Sequence, residues 1–368
     1  MRVEVLVARP TVCLNMIVKD EAHVIARCLD SVLPFIDRWV IVDTGSSDGT
    51  QDVIRQRLSQ LPGELHERPW CNFEVNRNEA LDLARTTANF LLFMDADDVL
   101  SVPESAKRPE DADAYYLRIE VGGSYTFSRV NLVNTRRAWR WVGAVHEVIV
   151  CPEPHRIEHL DGWSIRSLSD SARNRDPKGK FLRDAAMLEV AVAANPTHGR
   201  DVFYLAQSYR DAGELRLALK WYERRAELGG WEEEVWHSLF QVAVLHERLG
   251  DWNQALPAYL AAYDYRPMRL EPLYELSRHY REQKKFAVAH LYASSAFGRP
   301  KPSDILFLDE SVYAWRLLDE YAVSAYWVGK FKESLHVNER LLSEGNLPDS
   351  ERARVEKNRD FCVAKLTS

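Results

Sequence analysis

The sequence predicts an α/β domain with a mostly parallel sheet, followed by an all-α domain of helical repeats. Three observations carry this. Apolar runs of strand length alternate with helical stripes as far as Met94. Beyond Ala114, strand-like runs follow one another with no long helix between them. In the C-terminal half, small residues recur at fixed distances from turn positions. The limits implied are 1–168 for the α/β domain, 169–180 for a polar linker and 181–368 for the repeats.

Residues 11–18 are apolar and bounded by charge, so they read as a buried strand. Residues 20–32 carry Ala22, Ile25, Ala26, Leu29 and Val32 at helical spacing. A second strand spans 39–42. Ser46, Ser47 and Asp48 then supply capping side chains for a helix that runs to Leu58. A short strand at 65–68, a helix at 76–84 and a strong strand at 89–94 complete the alternation. In sheets built this way, ligands gather beyond the carboxyl ends of the strands. The clusters Lys19-Asp20-Glu21, Asp43 to Gly49 and Asp95 to Asp98 all fall there. Strands at 115–121, 129–133 and 145–150 follow. Pro152 and Pro154 interrupt, and the polar stretch rich in Arg, Asp and Ser marks the linker.

With 46% hydrophobic and 28% charged residues, the chain is globular rather than disordered. A net charge of −7 argues against general nucleic-acid binding, which needs a basic surface. No apolar run is long enough for a membrane span. Glu4 and Arg9-Pro10 break the region a signal peptide would need. The five cysteines, Cys13, Cys28, Cys71, Cys151 and Cys362, are odd in number and form no CxxC clip. A disulfide or zinc framework is not expected, and a cytoplasmic location is.

The repeats align on the turn positions Gly213, Gly250, Lys284 and Gly329. Seven residues before each turn sit Ala206, Ala243, Ser277 and Ala322; five after it sit Ala218, Ala255, Ala289 and Ser334. Small residues belong where two helices approach closely. The spacing resembles the tetratricopeptide repeat, with helix–turn–helix units of about 34 residues.

The densest chemistry lies in Asp95-Ala96-Asp97. A strand delivers two carboxylates, one residue apart, to the ligand edge of the sheet. Hard oxygens of this kind suit Mg²⁺ or Mn²⁺, which complete their shells with substrate phosphates. Asp43 ends the second strand, where a dinucleotide-binding fold also places an acid. That fold needs a glycine-rich turn after the first strand, and Lys19-Asp20-Glu21-Ala22 has no glycine. An NAD enzyme is thereby disfavoured, and so is a nucleotidyltransferase. A nucleotide held by side chains, with its diphosphate on a metal, fits better.

Met16-Ile17-Val18-Lys19-Asp20-Glu21, Val42 to Thr50, Arg77-Asn78 and Asp95-Ala96-Asp97-Asp98 occur in the order of family 2 glycosyltransferases, which the chain resembles over roughly its first 165 residues. The progression Trp70, Phe73, Arg77-Asn78, Asp95-Ala96-Asp97 is similar to lipopolysaccharide-core glucosyltransferases. It is similar also to bacterial peptide S-glycosyltransferases that carry helical repeats. The resemblance implies a GT-A fold, a UDP-sugar donor, Mn²⁺ or Mg²⁺, and inversion at the anomeric carbon in one displacement. It implies that Asp43 bonds the uracil or ribose and that Arg77 sits against the base or diphosphate. Asp95 then contacts ribose, and Asp97 binds the metal.

Family members often carry a catalytic acidic pair well beyond the DxD. Here Val142-Gly143-Ala144-Val145-His146-Glu147 stands in that region. Glu147 is the first candidate base and His146 the second, beside an equal claim that the two merely order a loop. His159 occupies the place of a late histidine that completes the metal shell in many GT-A enzymes, beside the alternative of a surface histidine. Lys178, Lys180 and Arg183 are candidates for a lid over the diphosphate, against the plainer reading of a solvated linker. Trp139 and Trp141 read as one core and one rim residue. The acceptor half is short, so the repeats are the candidate holder of an acceptor peptide or protein; dimerisation through them is the competing use. A cell-envelope glycan acceptor and a non-catalytic nucleotide-sugar-binding scaffold are the alternatives.

Overall fold

A computed structural model describes residues 9–121, 125–168, 170–172, 176–304, 306–344 and 346–367. Residues 169 and 173–175 of the linker lie outside the described residues. The chain divides into two compact units, 1–195 and 196–368.

The first unit runs β1 (Val12–Val18), α1 (Ile25–Val32), β2 (Arg38–Asp43), α2 (Thr50–Arg57), β3 (Gly63–Glu67), α3 (Phe73–Ala84) and β4 (Phe90–Phe93). It continues through β5 (Asp98–Ser101), β6 (Ala114–Val121), β7 (Tyr125–Asn134), β8 (Arg140–Val142), β9 (Val148–Val150), β10 (Ile157–Ser167) and α4 (Pro177–Ala194). Eight strands form one sheet in the order β3-β2-β1-β4-β7-β6-β10-β5. Strands β3, β2, β1 and β4 are parallel. Beyond them the sheet is mixed rather than mostly parallel: β7 runs antiparallel to β4 and β6, and β5 antiparallel to β10. Strands β8 and β9 pair separately.

Alternation in β1, β2 and β4 sends successive side chains to opposite faces. Leu14, Met16, Ile41 and Leu92 bury against Ile25 and Leu29 of α1. Cys13, Val40, Leu91 and Phe93 bury against Leu81 and Ala84 of α3, together with Trp139 and Trp141. Both tryptophans are therefore core, at 1% and 7% exposure, and neither is a rim residue. Helix α1 starts at Ile25 and not at residue 20, because Asp20 adopts φ 55° and the next amides bond to the neighbouring loop. Helix α3 starts early because the Asn72 side chain accepts from the Val75 amide and caps it.

Helices of the second unit form consecutive hairpins among the described residues: α5 (Gly199–Asp211) with α6 (Leu215–Leu228), and α7 (Glu232–Arg248) with α8 (Trp252–Tyr265). Next come α9 (Glu271–Glu282) with α10 (Phe286–Ala296), and α11 (Leu317–Trp327) with α12 (Phe331–Ser343). Helix α13 (Asp349–Thr367) packs on α12. Gly213, Gly250, Lys284 and Gly329 turn the hairpins with φ between 61° and 84°. The small residues that predicted the units are buried at the helix crossings. The Ser277 hydroxyl donates to the Ala289 carbonyl at 3.0 Å, and Ser334 to Ala322 at 2.7 Å, the same pair of positions with donor and acceptor exchanged. Among the described residues no helix is long and apolar enough to cross a membrane. All five cysteines are free.

Candidate active site

Two loops meet beyond the carboxyl ends of β1 and β2. The Asp20 amide donates to Ser46 Oγ, the Glu21 amide to Thr50 Oγ1 and the Ala22 amide to Asp48. In return the Ser47 amide donates to Asp20 Oδ1. This zipper makes the 19–22 and 43–50 segments one rigid ledge. At its root lies Asp43, fully buried. Its Oδ1 accepts from the Gly45 and Ser46 amides at 2.9 and 2.7 Å. Among the described residues its Oδ2 is buried with no hydrogen-bond partner. Such an atom is costly unless something else bonds it.

Strand β4 leads to Asp95, Asp97 and Asp98. Asp97 is 7% exposed, and its Oδ2 accepts from the Ser171 amide at 3.2 Å. Burial, then the charge of Asp95, push Asp97 above the usual carboxylate range. The same two causes push Asp98 up to about 7, with Arg129 standing 3.8 Å away. The cluster is thus short of positive charge.

Arg77 projects from α3 into this cluster. Its Nη2 donates to Asp95 Oδ1 at 2.7 Å, and its Nε lies 2.5 Å from Glu147 Oε1. Burial alone would favour loss of its proton, but Asp95 and Glu147 outweigh it and hold Arg77 charged. Its guanidinium also lies over the Trp141 ring, 5.0 Å from the centroid. Asn78 grips the strand that carries that ring: its Nδ2 donates to the Trp141 carbonyl and its Oδ1 accepts from the Trp141 amide. Glu74 accepts from the Gly143 amide. One face of α3 therefore fixes β8 and the loop that ends in Glu147.

The fold brings Asp95, Asp97, Arg77 and Glu147 together through these contacts, and Asp43 shares their edge of the sheet. His146 is exposed, with φ 55°, next to Glu147. His159 is not brought to Asp97. It pairs with Tyr116 of β6, whereas Ser167, which pairs with Asp98, lies beside Val121. Five residues of β6 separate the two levels, roughly 17 Å at strand rise. Lys178 and Lys180 lie in the first turn of α4, which Asp176 caps, and the Lys180 ammonium lies over the Phe181 ring. Among the described residues no group of three or more His, Cys, Asp or Glu is arranged to hold a metal.

Sequence reasoning missed the segment just after β10. Asp170 makes an ion pair with Arg27, the Ser171 amide reaches Asp97, and the Ala172 amide donates to Glu21. Read as linker, this segment instead covers the acidic edge. Strand β10 itself escaped notice because Gly162, with φ 85°, bulges it and breaks its period-two pattern.

Parallel strands that end in a carboxylate-lined edge, continued by a mixed half-sheet, make the first unit a GT-A-type domain, and the second unit is a helical repeat. Residues 13–158, most of the N-terminal unit, match the model of glycosyl transferase family 2. A TPR repeat-containing protein of Synechococcus elongatus is 27% identical over 310 residues, 78% of this chain and 75% of that protein. The SPbeta prophage-derived glycosyltransferase SunS of Bacillus subtilis is 30% identical over 99 residues, 27% of this chain but 22% of SunS. Among solved structures, BtubC from P. vanneervenii aligns over 54% of this chain and 85% of its own at 16% identity, with a TM-score of 0.39. The chain is a glycosyltransferase with a C-terminal helical repeat domain.

Proposed function

We propose that the chain moves a sugar from a UDP-sugar to an acceptor by a metal-dependent, inverting displacement, and that the acceptor is a peptide or protein side chain. The unpartnered Oδ2 of buried Asp43 carries the donor reading. A uracil N–H or a ribose hydroxyl supplies the donor that this oxygen lacks. Asp95 contacts ribose and Arg77 faces the diphosphate.

The residues fit a divalent cation. Asp97 and Asp98 are both pushed upward by burial and by a neighbouring carboxylate, which an added cation relieves. Asp97 would hold it, with substrate phosphate oxygens completing the shell. When bound, the cation offsets the charge that develops on the leaving diphosphate. His159 has no place in that shell.

Inversion needs a base on the acceptor. Glu147 is the candidate, oriented by its ion pair with Arg77, with His146 beside it. The Arg77 bridge sets Glu147 and Asp95 on its two sides, so one guanidinium ties the donor's end of the site to the acceptor's. Lys178 and Lys180 remain candidates for covering the diphosphate.

A donor panel tests this reading. The protein is incubated with Mn²⁺ and each common UDP-, GDP- and dTDP-sugar, and release of nucleoside diphosphate is measured. Release from one UDP-sugar, lost in Asp97→Ala, supports it. No release, together with no metal-dependent stabilisation by UDP in a thermal shift, overturns it.

A further inference from the structure

The connection between α10 and α11 is unlike the others in the repeat unit. Three residues join α6 to α7, whereas fifteen separate Ala296 from the π-helical turn Val312–Arg316 that leads into α11. Connections of this length in a compact domain need a reason. These residues fold back across earlier hairpins. Asp304 pairs with Arg266 at 2.6 Å and with Arg269 at 3.3 Å; Arg269 is fully buried and lies over Trp236. Arg269 also donates to the carbonyls of Leu306 and Phe307 at 3.2 and 3.1 Å. The Leu306 amide donates to Glu233 at 2.8 Å. Phe307 stacks near Phe203 of α5 and His237 of α7, with its ring 4.8 Å from the imidazole.

Main-chain bonds of this kind hold an extended peptide whatever its sequence, and side-chain seats then select it. Two further observations show that the chain's own segment fills the seat imperfectly. Phe307 adopts φ 45°, a conformation side chains rarely take, and remains 43% exposed. Next to it, both ring nitrogens of His237, and the hydroxyl of the adjoining Tyr222, are buried without hydrogen-bond partners among the described residues. Burial pushes His237 down to about 3, so its ring is neutral and offers one donor and one acceptor.

We propose that the face formed by α5, α7 and the α8–α9 connection is a peptide-binding site that the α10–α11 connection occupies in cis. Its partner is an extended segment with an acidic residue three positions before an aromatic one. The acid takes the place of Asp304 on Arg266 and Arg269. The aromatic residue takes the place of Phe307, and a polar group on its ring satisfies His237 or Tyr222. Because the chain's own segment competes, the apparent affinity of the partner is reduced by the fraction of sites left open.

The test uses a fluorescein-labelled peptide with the sequence of residues 302–309, read by anisotropy against the full chain. Phe307→Gly suits the positive φ and removes the competing ring. It binds the peptide about tenfold more tightly than the wild type. Replacing the peptide's phenylalanine by alanine, or its first aspartate by asparagine, weakens that binding. A Phe307→Gly protein with native circular dichroism that binds no better than wild type overturns the proposal. So does one that instead pairs with a second copy of itself in sedimentation. Should that variant fail to fold, hydrogen exchange on the wild type decides. Excess peptide accelerates exchange at the Leu306 amide if it displaces the segment from Glu233, and unchanged exchange overturns the proposal. Neither readout involves a sugar donor, so the result stands apart from the transferase reading.

Discussion

Two sets of buried carboxylates in the same sheet are treated in opposite ways. Asp113, just before β6, is 4% exposed. Arg137 first, then the Arg156 amide and Arg136, hold it far below the usual carboxylate range. Asp97 and Asp98, equally buried, are pushed upward instead. The difference is compensation. Asp113 has two guanidinium partners and a backbone amide within bonding distance. Around Asp97 and Asp98, Arg77 is already engaged by Asp95 and Glu147, and Arg129 stands no closer than 3.8 Å to Asp98 while it also faces Asp95. A carboxylate that is fully paired holds structure; one left short of cations is a candidate to take a charge from outside the chain.

The sharpest test of this contrast is Asp97→Asn. Nucleoside diphosphate release falls about 100-fold or more, because the substitution removes a group that acts on developing charge. The melting temperature does not fall, since an uncompensated buried carboxylate is lost. Asp113→Asn reverses both outcomes: turnover per folded molecule is kept, and stability drops by about 2 kcal/mol in denaturant unfolding. That loss depends on pH. Asp113 is held below its unfolded value, so its stabilisation is complete above pH ~4 and vanishes as pH falls through the folded value. Melts of wild type and Asp113→Asn therefore converge in acid.

Asp98 has the opposite sign. Its folded value is raised to about 7, so its cost to the fold appears as pH rises from about 4 through 7. Asp98→Asn raises the melting temperature at pH 8 by a few degrees, raises it less at pH 5, and leaves it unchanged below about pH 4. Asn78→Ala frees β8 from α3 and lets the Glu147 loop shift. Turnover falls about tenfold, with a stability loss of only about 1 kcal/mol. The smallest effect belongs to His159→Ala. Its Mn²⁺ titration of diphosphate release overlays that of the wild type; a weaker metal dependence would bring His159 back into the shell.

Much of this was legible in the chain itself. The apolar runs of β1, β2 and β4 and the helical stripe ending at Val32 suffice to place Asp43, Asp95 and Asp97 at one sheet edge. Gly213, Gly250, Lys284 and Gly329 announce the hairpins, because a turn needing positive φ and a close helix crossing each leave a residue-level mark. Other features leave none. Strand β10 is polar and bulged at Gly162, and no local pattern shows that Ser171 ends on Asp97. His159 and Glu147 are similar signals on paper, a titratable residue late in the domain. The register of β10 against β6 moves one away from the acidic edge, and Arg77 draws the other in.

The sequence by itself determined which residues are apolar, where helices and turns begin, and which strand ends carry acids, since these follow from local periodicity and backbone preference. Only the tertiary structure decided which of those acids would be paired. That depends on which distant arginine each carboxylate meets, a matter of strand order and register with no local trace. Arg136 and Arg137 reach Asp113, while Asp97 and Asp98 are left without equal compensation.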